Sequence, residues 1–145
     1  MLLANFGVIA GVIFLALEIS QNNELMQAEA SFRLKDNRAM GSQLVLESPE
    51  YVALTLKISN GEVFTDLDEV RLKAYVDQML INWQWEYGEF KAGRMSSNIF
   101  PANQYAMALK AFPFALEGWE SFKLGIEYDK DFIKFMEDEV IAKLK

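Results

Sequence analysis

Leu2–Leu17 reads LLANFGVIAGVIFLAL, a run with no charge and one polar residue, Asn5. Its reading decides whether the first helix of the chain lies in lipid, in a protein core or on a surface. At about 1.5 Å per residue the run covers roughly 24 Å of a hydrocarbon layer about 30 Å thick. Counting on to Ile19 lengthens it, with Glu18 placed near the polar boundary. Apolar residues surround the helix, and a helix with no polar face belongs in a membrane or deep inside a large protein. A chain of 145 residues has few helices with which to wrap such a rod. The run is therefore expected to be a transmembrane anchor. A buried or amphipathic helix and a signal peptide are the alternatives; against the signal peptide, no Lys or Arg precedes the run, and no convincing small-residue cleavage site follows it. Arg33, Lys35 and Arg38 follow the span at the outer reach of the positive-inside rule, which favours a cytoplasmic body.

Beyond the anchor, 3.6-residue periodicity dominates and no window sustains a two-residue alternation, so the fold class is all-α. Two regions follow, an anchor over 1–21 and a helical bundle over 22–145. No Pro or Gly falls between Ser20 and Met40, which predicts that the anchor continues as one rod, with Leu25, Ala28 and Phe32 on one side and Met26, Ala30 and Leu34 beside them. Gly41-Ser42 permits a break. Ser48-Pro49 starts a short helix bearing Val52, Leu54, Leu56 and Ile58, and Asn60-Gly61 ends it.

The clearest element of the body spans Asp66 to Ala92. Thr65 with Asp68 resembles a capping box, and Leu72, Val76, Met79, Trp83, Tyr87 and Phe90 form one apolar stripe. Gly93 is placed to end it. Pro101 opens a further helix to Phe112, and Pro113 another with Phe114, Leu116, Trp119 and Phe122. Asp129 or Asp131 caps the last, which points Ile133, Met136, Val140 and Leu144 inward.

Composition excludes several classes of chemistry. The chain has no His and no Cys, so serine–histidine and cysteine–histidine catalysis, imidazole-bound zinc, thiolate metal sites and disulfides are out of reach. The formal net charge of -7 argues against nucleic acid, whose phosphates need Lys and Arg. With 52% hydrophobic and 13% aromatic residues the chain can build a core unaided.

Three candidate sites remain. Gly7 and Gly11 form a GxxxG pattern of the kind that lets membrane helices pack closely, and so a homo-oligomer is a possible state. Trp83, Glu86 and Tyr87 sit in a dense aromatic and acidic cluster with Trp85, Glu89 and Phe90. The cluster reads either as core with solvated carboxylates or as a pocket holding a cationic ligand. Glu86/Glu89 and Glu117/Glu120 are carboxylate pairs on two helices, but a helical dimetal site usually adds His, and no metal or other cofactor is assigned. Glu127, Asp129 and Asp131 lack the Gly and terminal Glu of a calcium loop.

The apolar first helix running into Leu17-Glu18-Ile19-Ser20-Gln21-Asn22-Asn23 resembles an uncharacterised family of small bacterial single-span membrane proteins, a domain of unknown function. The acidic helix start at Thr65–Arg71, Trp83 and Tyr87, the Lys91-Ala92-Gly93 end, Trp119 and Asp131-Phe132 extend the resemblance over most of the chain. Ser20 and Asn23 depart from the Arg and Thr usual there, and Ile99–Ala102 lacks a second Trp. The resemblance implies an anchored all-α architecture and offers no catalytic residues. The expected function is that of a membrane-tethered interaction or scaffold protein without catalysis. The alternative is a small-molecule-binding helical protein built around the aromatic and acidic cluster.

Overall fold

A computed structural model describes residues 2–112, 114–125 and 129–144, with residues 2–6 as backbone only. The described residues are helical and include no strand. In order they form α1 (Leu2–Glu47), α2 (Pro49–Asn60), α3 (Asp66–Lys91), α4 (Ala102–Ala111), α5 (Phe114–Phe122) and α6 (Lys130–Phe135). A wide π-helical stretch, Met136–Val140, and a 3₁₀ turn, Ile141–Leu144, carry α6 onward.

α1 is one continuous helix of 46 residues. The break permitted at Gly41 is not taken. A single helical Gly costs about 1 kcal/mol against Ala, too little to stop a helix flanked by good formers. α1 ends instead at Glu47, and Ser48 turns the chain into α2. The Ser48 side chain accepts a hydrogen bond from the Tyr51 amide at 3.2 Å, with Pro49 in the first turn. Gly61, at φ 64°, closes α2 through its N–H to Ile58 and Lys57 carbonyls, a left-handed cap that favours glycine.

α3 starts with a complete capping box. Asp68 N–H donates to Thr65 Oγ1 at 3.3 Å, and Thr65 N–H donates back to Asp68 Oδ2 at 2.9 Å. The same oxygen takes Lys57 Nζ at 2.6 Å, which ties the end of α2 to the start of α3. Asp129 caps α6 and accepts from the Asp131 amide at 2.8 Å. Lys91, in the last turn of α3, pairs with Asp131. The expected helix start at Pro113, and Glu127, lie outside the described residues.

The core is made by α3 to α6: Val76, Leu80 and Trp83 meet Tyr105, Leu109, Ala115, Trp119, Phe122, Phe132, Met136 and Val140. Phe132 is fully buried and packs edge-on to Trp119 at 5.9 Å. Gly118 lets α5 lie close on α3, since a Cβ there would overlap Val76 Cγ1. Within the π stretch, Glu137 accepts Trp119 Nε1–H at 2.7 Å, so the buried indole keeps a partner.

The α1–α2 hairpin lies against α3 rather than within this core. On α1 burial starts at Ala30 and continues with Leu34. Leu25 and Phe32 of the neighbouring stripe stay exposed, at 67% and 64%. On α2 only Leu54 is buried, and Leu56 faces outward. Tyr51 meets Tyr75 edge-on at 4.9 Å, and the Arg33 guanidinium sits 5.9 Å from the Trp85 ring.

The described side chains of the N-terminal arm of α1 stand clear of the other described helices. Val8, Ile9, Val12, Ile13, Phe14, Leu15, Leu17 and Ile19 are all more than half exposed, so the alternative of a buried core helix is excluded for Gly7–Ile19. The expected transmembrane span is not met among the described residues either, where no helix is long and apolar enough to cross a membrane. On its C-terminal side the apolar run is closed by Glu18 and the polar stretch Ser20–Glu24.

Candidate functional site

Where the hairpin crosses α3 and α4 it leaves an open cleft of about 360 Å³, within the size range of small-molecule sites. Its lining includes Arg38 of α1, Trp83 and Glu86 of α3, and Gln104 and Tyr105 of α4. Leu44, Leu54, Ile58, Met79 and Phe112 supply apolar wall. Arg38 and Glu86 are the only charged residues along it, as far as the described residues go. Its walls are mostly apolar, with a few amides and hydroxyls at fixed points.

Glu86 is the most unusual residue here. It lies on the inner face of α3, one turn after Trp83, and is only 5% exposed. Its carboxylate Oε2 accepts the Tyr105 hydroxyl at 2.5 Å. The Tyr105 ring in turn stacks on Trp83, with centroids 4.4 Å apart and planes 20° from parallel. Burial pushes the Glu86 carboxyl above its ordinary value, while the Tyr105 hydroxyl and the Arg38 charge pull the other way. Burial, then the Glu86 charge, pushes the Tyr105 phenol far above its usual range, so that hydroxyl stays a donor.

Of the two readings of the aromatic and acidic cluster, the core reading put Glu86 in solvent and the pocket reading buried it; Glu86 is buried. Trp83 and Glu86 do share one cavity wall, but Tyr87 is turned away from it. The Tyr87 ring stacks on Phe135 at 4.8 Å and packs near Phe132 and Phe100. Tyr105 and Arg38 complete the site from other helices, and neither carried a local sequence signal.

The carboxylate pairs separate as well. Glu89 makes a two-pronged pair with Arg94, both contacts at 2.7 Å, which lowers its pKa. Glu120 binds Lys123 at 2.8 Å, and Glu117 is exposed. Among the described residues no group of three or more Asp or Glu could hold a metal ion. Gly7 and Gly11 stand in open space, where a Cβ would meet nothing within 4 Å. No protein-family model, curated protein or solved structure matches this chain.

Proposed function

We propose that the protein is a membrane-tethered helical binding protein that acts by interaction rather than catalysis. The bilayer is its first partner, reached through Leu2–Leu17. The observation that carries this is the uncovered apolar arm. Eight large apolar side chains from Val8 to Ile19 face outward on all sides. Moving such side chains out of water is worth about 1.5–3 kcal/mol each when complete, so the half-exposed set amounts to on the order of 10 kcal/mol. That rivals the whole stability of a small domain, about 5–15 kcal/mol. A single packed helix could cover one side of the arm only; lipid covers all of them. With Leu2–Phe6 the uncharged run plus Glu18 and Ile19 reaches 18 residues, a slightly short single span that local thinning of the bilayer accommodates. Arg33, Lys35 and Arg38 favour a body on the cytoplasmic side.

The test is fractionation. The full chain should sediment with membranes and resist extraction by high salt and alkaline carbonate. Recovery of the intact chain as a monodisperse protein in buffer without detergent overturns the tether.

A second reading, binding of a small molecule by the body, is favoured by one specific observation: the cleft beside Trp83 and Glu86. The two readings are compatible, since the arm and the cleft lie at different ends of α1. Saturable binding of an apolar compound, lost when Trp83→Ala opens the cleft wall, supports it; no binding by any apolar compound removes it.

A further inference from the structure

We propose that the cleft is a site for a compact apolar molecule carrying a primary amine, held with its ammonium group against Glu86 Oε1. The inference rests on the small-molecule reading of the cleft and names the ligand class.

Glu86 Oε2 is taken by Tyr105, while Oε1 has no hydrogen-bond partner among the described residues. Every buried side-chain polar atom there has a partner, so Oε1 is an oxygen that reaches open space, and the space beside it is the cleft. The residue is only 5% exposed and burial disfavours its charged form, so the oxygen that does meet the cleft is where a cation gains most. An ammonium group satisfies that position, restores the charged form that burial disfavours and gains a charge-assisted hydrogen bond. The remaining wall is suited to the apolar body, with Trp83, Met79, Leu54 and Ile58 among its lining. Long-range charge agrees, since the net charge of -7 attracts cations. Arg38 is the one opposing charge. It is exposed, whereas Glu86 is buried and held by Tyr105.

Equilibrium dialysis of the full chain in lipid nanodiscs distinguishes the possibilities, with empty nanodiscs as the blank. The probes are 2-phenylethylamine, 2-phenylethanol and 3-phenylpropanoate, which share an apolar body and differ in the head. The amine should saturate one site and bind at least tenfold tighter than the alcohol. Glu86→Gln should abolish that preference and leave the alcohol unchanged. Since Glu86→Gln could disturb the Tyr105 contact, a second variant at the exposed Arg38 guards the test. Arg38→Gln should tighten the amine severalfold without altering the helical circular dichroism. If the alcohol binds and the amine has no advantage, the ligand class is wrong while the cleft reading stands. If the propanoate binds best and Arg38→Gln weakens it, the recognition is anionic and the proposal is overturned. If none of the three binds, the cleft reading falls with it.

Discussion

Two helices of this chain are rich in large apolar side chains and treat them in opposite ways. The arm of α1 carries them on every side and covers none of them. α3 gathers Val76, Leu80 and Trp83 on one side and buries them against three other helices. Periodicity is what separates the two. α3 places polar residues between its apolar ones, so it has an inside and an outside, and water defines the difference. The arm has no outside in that sense, and its described large apolar side chains from Val8 to Ile19 are all more than half exposed. Stability of the body should therefore depend on α3 and its partners, and be indifferent to the arm.

The largest expected effect is on the α3 to α6 side. Trp119→Ala removes a fully buried indole packed on Phe122 and Phe132 and leaves Glu137 without its Nε1–H. Such truncations cost about 3–5 kcal/mol, enough to lower the thermal midpoint by roughly 10–20 °C at this chain length. Trp83→Ala should cost less, near 3 kcal/mol, because one edge of that ring borders the cleft. Thermal unfolding followed by circular dichroism ranks the pair. Equal losses would mean that the cleft is closed in solution.

A smaller effect should come from an added methyl. Gly118→Ala drives a Cβ into Val76 Cγ1, and overpacking of this kind costs about 1–3 kcal/mol. Val76→Ala in the same chain should restore part of the loss, since it removes the atom that is struck. A Gly118→Ala variant as stable as the parent would show that α5 sits further from α3 than the structure has it.

Much of this was legible from short-range chemistry. The Thr65/Asp68 box, the Ser48-Pro49 start, the Asn60-Gly61 end and the Asp129 cap are local devices, each complete within about four residues, and the structure has all of them. What was not legible depends on partners distant in sequence. Ala30 and Leu34 rather than Leu25 and Phe32 face the body, because α3 chooses between two adjacent stripes of similar apolarity. The Glu86 spacing is that of an ordinary surface carboxylate, and only Tyr105, 19 residues on, explains how it can be buried. The stripe Ile133, Met136, Val140 and Leu144 was legible through the π stretch, and Met136 and Val140 are buried; Phe132, one residue off that stripe and fully buried, was not. For the site, Trp83 and Glu86 could be picked out as one cluster; Arg38 and Tyr105 could not.

Two carboxylates of α3 make the next, subtler test, because they respond to pH in opposite senses. The Lys57 hydrogen bond, with those from Thr65, holds Asp68 well below the ordinary carboxylate range. A depressed folded pKa stabilises above the unfolded value near 3.8, and that contribution is lost as pH falls below it. Glu86 is raised above 4.5 by burial, so its contribution is present below 4.5 and is lost as pH rises through the folded value. Urea midpoints measured from about pH 3 to about pH 8 should thus fall at both ends. Asp68→Asn should flatten the acid limb only, and Glu86→Gln the upper limb only. A Glu86→Gln variant that keeps the full upper limb would place that carboxyl in solvent.

The smallest expected effect is in the arm itself. Phe14 is 62% exposed, so Phe14→Ala should leave unfolding of the body within about ±0.5 kcal/mol of the parent. The same substitution removes one large side chain from the lipid-facing surface. It should weaken membrane partitioning by no more than about 3 kcal/mol, too little to detach a helix with seven other such side chains. Both readings come from one reconstituted sample, by circular dichroism melting and by vesicle flotation. A lowered melting point with flotation intact would show that stability passes through the arm, by contact with the body or with the arm of a second copy packed along Gly7 and Gly11. The contrast between α1 and α3 would then lie in which molecule covers the apolar surface, and no longer in whether protein covers it at all.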